Sequence, residues 1–401
     1  MKLNLKKLIV FISALAAAQS LFAFEIGGLL TNDSKFLNAE KDGSLKLDQK
    51  NGINLWFRNP VSEDGSSYLA GEGSFQFEKD ARKEDSDKQL KLFADLNLFK
   101  LVVKKEIESG NITFSAGRFY NSDLTGLIYT QNGDGLKLDA SLSSVELSVF
   151  GAYTGLLNAK NITILEKNEN DEPDQTDKEK TVYVMANKYA VGALTLSFPY
   201  FAANQTLSLE GLAALSLETK KYNRFYGTLA LNGPLFTPVF YNISSTMGFA
   251  KYDEQDMVKG NLTKGSISVY PDFKSMSFSL SGLYASGKQG SFEAFQGFTS
   301  NTAVNSLSEP EYSGIALAGL SASIKPVDNF LFFAGADIVF NTLAGDEKKD
   351  IERAGLQYTA GFNWQLVSDV SLGANLCQFI GKDKYADGNK TQFRITAAIA
   401  F

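Results

Sequence analysis

Two residue types that carry much enzymatic chemistry are missing or nearly so. The 401-residue chain has no histidine and a single cysteine, Cys377. That removes Ser-His-Asp and Cys-His nucleophilic catalysis, His-ligated zinc and any intrachain disulfide. No Ser/Asp constellation stands out in their place, so no enzymatic activity and no cofactor is expected. What remains is charge at alternate positions of extended stretches. Glu72, Lys91, Asp95, Asn97, Lys137, Asp139, Glu146, Glu210, Asp337, Arg353, Gln357, Asn363 and Arg394 fall in phase on one face of their segments. Six of these are acids and four are bases. Rings of charge around a water-filled passage set ion preference, which here leans weakly to cations. If the charges pair across the passage, they only hydrate its wall.

The elements that position these residues read as strands. In "SMSFSLSGLY" (275–284), Met276, Phe278, Leu280 and Tyr284 share one face and four serines share the other. In "RAGLQYTAGFNWQ" (353–365), Ala354, Leu356, Tyr358, Ala360, Phe362 and Trp364 oppose Arg353, Gln357, Thr359, Asn363 and Gln365. Segments near ten residues with period two suit tilted membrane-spanning strands. Eighteen such segments are predicted, near 24–31, 45–58, 66–78, 89–103, 111–118, 133–141, 145–153, 182–198, 205–217, 223–232, 237–251, 262–271, 274–285, 312–324, 329–340, 353–365, 369–379 and 391–401, with sixteen strands as the alternative count. Odd-numbered connections are mostly long (32–44, 79–88, 119–132, 154–181, 252–261, 286–311, 341–352 and 380–390) and 218–222 is the exception. Even-numbered connections are mostly tight. The expected fold is all-β: a transmembrane antiparallel up-and-down β-barrel with short periplasmic turns and long extracellular loops. The competing expectation is a soluble all-β protein that buries its apolar faces.

Composition agrees with a barrel showing half its residues to lipid and half to water. The chain holds 34 Gly, 31 Phe and 16 Tyr, yet only 44% hydrophobic residues. Aromatic rings gather near strand ends, as at Phe330 and Phe340, where amphipathic rings sit well at headgroup depth. The N-terminus carries Lys2, Lys6 and Lys7, then an apolar stretch from Leu8 to Ala18 and small residues to Ala23. That is the layout of a secretory signal peptide, so residues 1–23 are expected to be removed and 24–401 to form the barrel. Removing three lysines of the 39 basic residues leaves 36 against 45 acids, a net charge near −9. This balance argues against nucleic acid as a partner.

The chain ends "FRITAAIAF". Phe393, Ile395, Ala397, Ile399 and Phe401 alternate with Arg394, Thr396, Ala398 and Ala400. This ending resembles the C-terminal signature of bacterial outer-membrane β-barrels. Signal peptide, strand ladder and terminal Phe together resemble a porin-like outer-membrane protein over the whole chain. The resemblance implies residence in the outer membrane among its lipids. It also implies assembly by the barrel assembly machinery, which would read Phe393, Ile395, Ile399 and Phe401. A homotrimer, common among porins, is a further implication. The implied activity is passive diffusion of small hydrophilic solutes or ions. A substrate-selective channel is the second transport reading, and a surface adhesin or structural barrel working through loops 155–181 and 286–311 is a third.

In porins the third external loop folds inward and narrows the barrel. Here that connection lies in "FYNSDLTGLIYTQNGDG" (119–135), with apolar Leu124, Leu127, Ile128 and Tyr129. By resemblance, Asp123 and Asp134 would lie near a constriction, faced by Arg118, Lys137 or Arg394. Alternatively, Leu127–Gln131 only extends a neighbouring strand and "DGLK" (134–137) makes a plain turn. Loop 155–181 contains the charged run "EKNENDEPDQTDKEK", which lacks the spacing of a Ca²⁺ loop. Loop 286–311 carries Phe292, Phe295 and Phe298 at three-residue spacing, which would suit a short helix capping the pore, or an adhesive surface loop.

Overall fold

A computed structural model describes residues 24–39, 44–80, 90–162, 164–165, 181–219, 221–271, 275–288, 292–299, 313–342, 352–382 and 389–401. The expected signal peptide lies outside these residues. Eighteen strands follow one another: β1 (Glu25–Ala39), β2 (Ser44–Pro60), β3 (Tyr68–Asp80), β4 (Leu90–Ile107), β5 (Gly110–Ser122), β6 (Thr130–Leu142), β7 (Glu146–Tyr153), β8 (Tyr189–Ala202), β9 (Gln205–Ser216), β10 (Tyr222–Phe236), β11 (Val239–Tyr252), β12 (Val258–Val269), β13 (Ser277–Ala285), β14 (Ile315–Val327), β15 (Phe330–Asn341), β16 (Glu352–Val367), β17 (Val370–Gly381) and β18 (Lys390–Ala400). Each pairs antiparallel with its sequence neighbours, and β18 pairs with β1, so the sheet closes on itself. Closure leaves no edge with unpaired backbone groups, which is what lets a sheet stand in lipid. Among the described residues no helix is long and apolar enough to cross a membrane.

The strand count is eighteen, not sixteen. The boundaries differ where polar residues interrupt the alternation. β1 runs to Ala39 instead of ending at 31, because Thr31–Ala39 pairs on both sides, with β2 and β18. The first odd connection therefore shrinks from 32–44 to 40–43. β5 and β6 pair as far as Ser122 opposite Thr130, so the loop expected over 119–132 is only 123–129. "DGLK" is strand and not a turn: Asp134 and Lys137 both lie within β6.

Large apolar side chains such as Leu55, Leu194, Leu229, Ile243, Leu320 and Leu376 stand exposed on the outer face. Their exposure is that of a lipid-facing surface, since a soluble barrel would cover them. Aromatic rings cover glycines near the rim with the short turns. A Cβ added to Gly28 would run into the Phe401 ring, and one added to Gly71 into Phe57. Phe401 also joins the seam through its backbone, with Gly28 N donating to Phe401 O (2.8 Å) and Phe401 N to Gly28 O (3.0 Å).

One phase change matters for the interior. Ser115 is buried against the inner wall while Phe114 faces out, yet Arg118, three residues further on, is inside again. Gly117 makes the shift at φ 119°, where residues with a Cβ rarely go, and a Cβ there would strike the Phe99 carbonyl. Gly135 sits opposite on β6. The paired glycines thus turn Arg118 and Asp134 inward together.

Candidate functional site

The site is built where three loops fold into the barrel. The first is the β5–β6 turn. Short acids accept backbone N–H groups a few residues on, and Asp123 does so with both oxygens. Its Oδ2 accepts from Thr125 N (2.8 Å) and Thr125 Oγ1 (2.5 Å), and its Oδ1 from Ile128 N (2.9 Å) and Tyr129 N (2.8 Å). The turn reaches the far wall. Leu124 N donates to both oxygens of Glu210 on β9 (3.0 Å each), and Lys264 Nζ on β12 donates to Thr125 O (2.5 Å). Thr195 Oγ1 on β8 donates to Glu210 Oε2 as well (2.8 Å).

The β13–β14 loop meets this turn from the other side. Phe298 N and Thr299 N both donate to Ile128 O (2.8 and 3.0 Å), and Thr130 N donates to Thr299 Oγ1 (3.1 Å). Phe298 is fully buried between Tyr129 (5.7 Å between ring centroids) and Tyr189 (5.0 Å). Phe295 packs against Tyr226 (6.1 Å) over Gly248 and Gly260, where side chains would displace it. Residues 292–299 carry no helix, so the phenylalanine spacing does not make the short helix it suggested.

The β7–β8 loop completes the assembly. Leu165 N donates to Phe298 O (2.9 Å), and Arg224 Nη1 of β10 donates to Leu165 O (2.5 Å) and Gly297 O (3.3 Å). Arg224 is fully buried, with its guanidinium carbon 4.4 Å from the Tyr222 ring centre and 4.6 Å from that of Phe298. Such stacking suits a guanidinium removed from water. The same loop is tied to β5 by Arg118. Its Nε and Nη2 hold Asp134 as a fork (2.8 Å each), Nη2 also donates to Leu156 O (2.8 Å), and Nη1 donates to Leu96 O (3.0 Å) and Tyr183 Oη (3.3 Å). Asn158 Nδ2 adds a bond to Ala94 O (3.0 Å), and Asn161 Nδ2 one to Asp95 Oδ2 (2.8 Å). The result is a fixed partition across part of the lumen.

Similarity to known proteins is one of shape. No protein-family model matches the sequence, and no curated protein matches it. Among solved structures, the chain superposes on Pseudomonas aeruginosa OpdQ with a TM-score of 0.63 at 10% identity, over 94% of this chain and 98% of OpdQ. It superposes on the outer membrane protein OprD of the same organism at 0.62 and 11% identity, over 95% and 94% of the two chains. Acinetobacter baumannii OccAB2 gives 0.61 at 9% identity, over 94% and 98%. The chain shares the closed-barrel fold of these solved structures.

Within that porin fold the expected residues separate into groups. Asp123, Asp134, Arg118, Asp95 and Glu210 gather around the inward loops. Asp123 and Asp134 are fully engaged there, the one as a turn cap and the other as the partner of Arg118. Lys137 pairs with Asp139 on its own strand (3.1 Å), and Asp139 also accepts from Ser148 Oγ (2.7 Å). Arg394 is not at the loops. It forms a fork with Asp33 on β1 (2.8 and 2.7 Å). Glu72 accepts from Asn97 Nδ2 (2.8 Å), and Asp337 stands across from Gln357 and over Gly319. Arg353 departs from its expected phase: a register shift beside it sets Arg353 opposite Phe340, whose face is the outer one, and not in line with Gln357. Phe393, Ile395, Ile399 and Phe401 are exposed on the outer face. Sequence reasoning missed Arg224, Lys264, Tyr189 and Asn158. Arg224 carried a signal, since "YNRFYG" puts a cation in phase with Tyr222 and Tyr226 on the inward face. The run 166–180 lies outside the described residues. Among those described, no group of His, Cys, Asp or Glu could hold a metal ion.

Proposed function

We propose that the protein is an outer-membrane porin: a water-filled channel for passive diffusion of small hydrophilic solutes or ions, narrowed by its own loops. The carrying observation is the contrast between faces. The outer wall is apolar, while the inner wall carries hydrated and paired charge that ends against a pinned partition. The long-loop rim would face outward and the short-turn rim the periplasm, after removal of residues 1–23. Entry into the membrane would run through the barrel assembly machinery reading the outward Phe393, Ile395, Ile399 and Phe401. Cation preference is weak in this reading. Arg118 with Asp134, Lys137 with Asp139 and Arg394 with Asp33 neutralise much of the wall, leaving Glu72 and Asp337 to bias it.

A second reading, a substrate-selective channel, draws support from how the loops are held. Bonds from β4, β5, β9, β10 and β12 keep the eyelet at one width, which favours discrimination by shape over free diffusion. The adhesin reading loses ground at Leu157, Ile162, Phe295 and Phe298, which are buried and so absent from the outer surface. Single-channel recording of the refolded mature chain in a planar bilayer under a salt gradient tests the proposal. Stable ohmic steps with a mildly cation-selective reversal potential are expected. A folded barrel that gives no steps overturns it.

A further inference from the structure

Among the described residues the apolar outer face is broken by two polar groups within the strands, one beside the seam and one on β11–β12. Leu30 faces lipid with Ile53 and Ile399, its partners on β2 and β18. Two residues along β1, the same face presents Asn32, and two further along, Ser34. Their β2 partners are Asn51 and Gln49. The next pair is apolar again, Phe36 beside Leu47 and Phe393. A polar island of four side chains thus lies on the outer face between the levels of Phe393 and Phe401, where lipid tails offer no hydrogen bonds.

The island is half satisfied. Asn32 Nδ2 donates to Asn51 Oδ1 (2.7 Å), and Ser34 Oγ donates to Asn32 Oδ1 (3.2 Å). No hydrogen bond among the described residues engages Asn51 Nδ2 or the Gln49 amide. A second outward polar group, on β11–β12, is closed by contrast. There Asn261 Nδ2 donates to Ser245 Oγ (3.2 Å) and Thr246 O (3.1 Å), and Thr263 Oγ1 donates to Asn261 Oδ1 (3.0 Å). Beside the open island lies a concavity of about 500 Å³, walled by Leu30, Ile53, Phe75, Phe77 and Ile399.

We propose that this surface is a twofold interface between two copies of the chain. A carboxamide carries both donor and acceptor, so Asn51 and Gln49 of one copy complement those of another across a dyad. A twofold contact uses the same patch on both partners and closes. A ring of three would need a second, different patch, and the closed group on β11–β12 has no bonds to offer. The inference rests on the outer face meeting lipid, and not on the pore conducting.

The test uses cysteine. The native Cys377 is buried, so Ala397→Cys, at the concavity opposite Asn32, supplies a thiol at the interface while keeping its four polar side chains, and Leu229→Cys supplies one on the opposite wall. With the full barrel in lipid vesicles and a mild oxidant, Ala397→Cys is expected to give a covalent dimer about tenfold above Leu229→Cys, because the interface holds two thiols at high effective concentration. Asn32→Leu/Asn51→Leu, with folding checked by heat-modifiable migration, is expected to run as a monomer in mild detergent where the parent runs as a dimer. A monomeric parent with equal cross-linking at both positions overturns the proposal. So does a ladder of higher oligomers, which a closed twofold contact does not produce. Conductance recorded from the leucine variant separates this outcome from failure of the channel reading.

Discussion

Replacing Asp123 with alanine removes the acceptor from four donors at once: the N–H groups of Thr125, Ile128 and Tyr129 and the Thr125 hydroxyl. Asp123 is 4% exposed, so water does not simply take its place. Leaving a buried donor unmet costs roughly 1–3 kcal/mol. The hydroxyl can turn elsewhere, and lumen water relieves part of the rest. Three N–H groups at the low end give about 3 kcal/mol against the inward turn. At 1.4 kcal/mol per tenfold, that is about a hundredfold loss in the ratio of the inward conformer to all others. Glu210, Lys264 and Thr299 still hold the turn from three sides, so it becomes unsteady without swinging free. The expected signature in planar bilayers is larger conductance with flickering substates. Asp123→Asn keeps an oxygen for one pair of donors and turns an NH₂ toward the other, so it should fall between. A folded Asp123→Ala barrel with the parent's step size and a quiet open level would refute the view that this carboxylate sets the partition.

Three other perturbations probe different parts of the structure. Arg118→Leu strands Asp134 and leaves Leu156 O only the Tyr183 hydroxyl, which should cost about 3–5 kcal/mol and speed cleavage by added protease within residues 155–162, with Arg118→Lys restoring only part. Gly117→Ala should lower the denaturant midpoint of unfolding from vesicles by about 1–3 kcal/mol of backbone strain, with a further loss from collision with the Phe99 carbonyl. Hydroxyls of Ser62 and Ser66 and the Ser66 N–H hold the Asp64 carboxyl down at about 2 in the β2–β3 turn; a lowered value means the turn gains stability above the ordinary carboxylate range and loses it as pH falls toward 2, which an NMR titration of the side chain would follow.

The wall of this barrel was legible because lipid outside and water inside impose period two on every strand, as at 275–284 and 353–365. Where one face breaks that rule, the reading broke too: Asn32 and Ser34 put polar groups on the outer face, and β1 was cut short at 31. Gly117 explains a different miss. A phase change carried by one glycine moves Arg118 and Asp134 inward without any change in residue type nearby. The loops were the least legible. Phe292, Phe295 and Phe298 have helical spacing, but no helix forms because the backbone N–H groups bond outside the segment, to Ser286 O at the start of the loop and to Lys259 O and Ile128 O far away in sequence. Nothing local encodes those partners. Apolar content did mark the β5–β6 turn as something other than an exposed tip, and Leu127, Ile128 and Tyr129 are buried.

Several inward charges fasten the loops. Asp123 caps a turn, Glu210 anchors it, and Asp134 with Arg118 ties down the neighbouring loop. Of the six acids and four bases that alternate on the inner face, Glu210 is held by Leu124 N and Thr195, Asp95 by Asn161, Lys137 pairs with Asp139 and Arg394 with Asp33, so a passing ion meets less net charge than that count implies. Exposed pairs contribute little field beyond a Debye length, and buried ones are committed to their bonds. In the proposed channel, selection then falls chiefly to width, which the fastenings set. This has a consequence for mutagenesis. Neutralising Asp123 or Glu210 changes selectivity through the position of the loop, so conductance and ion preference should change together. Neutralising Glu72, which contacts no loop among the described residues, should shift the reversal potential toward anions while the conductance step stays nearly constant. Finding the opposite pattern, a large conductance change at Glu72 and a pure selectivity change at Glu210, would mean that the lumen charges filter ions directly.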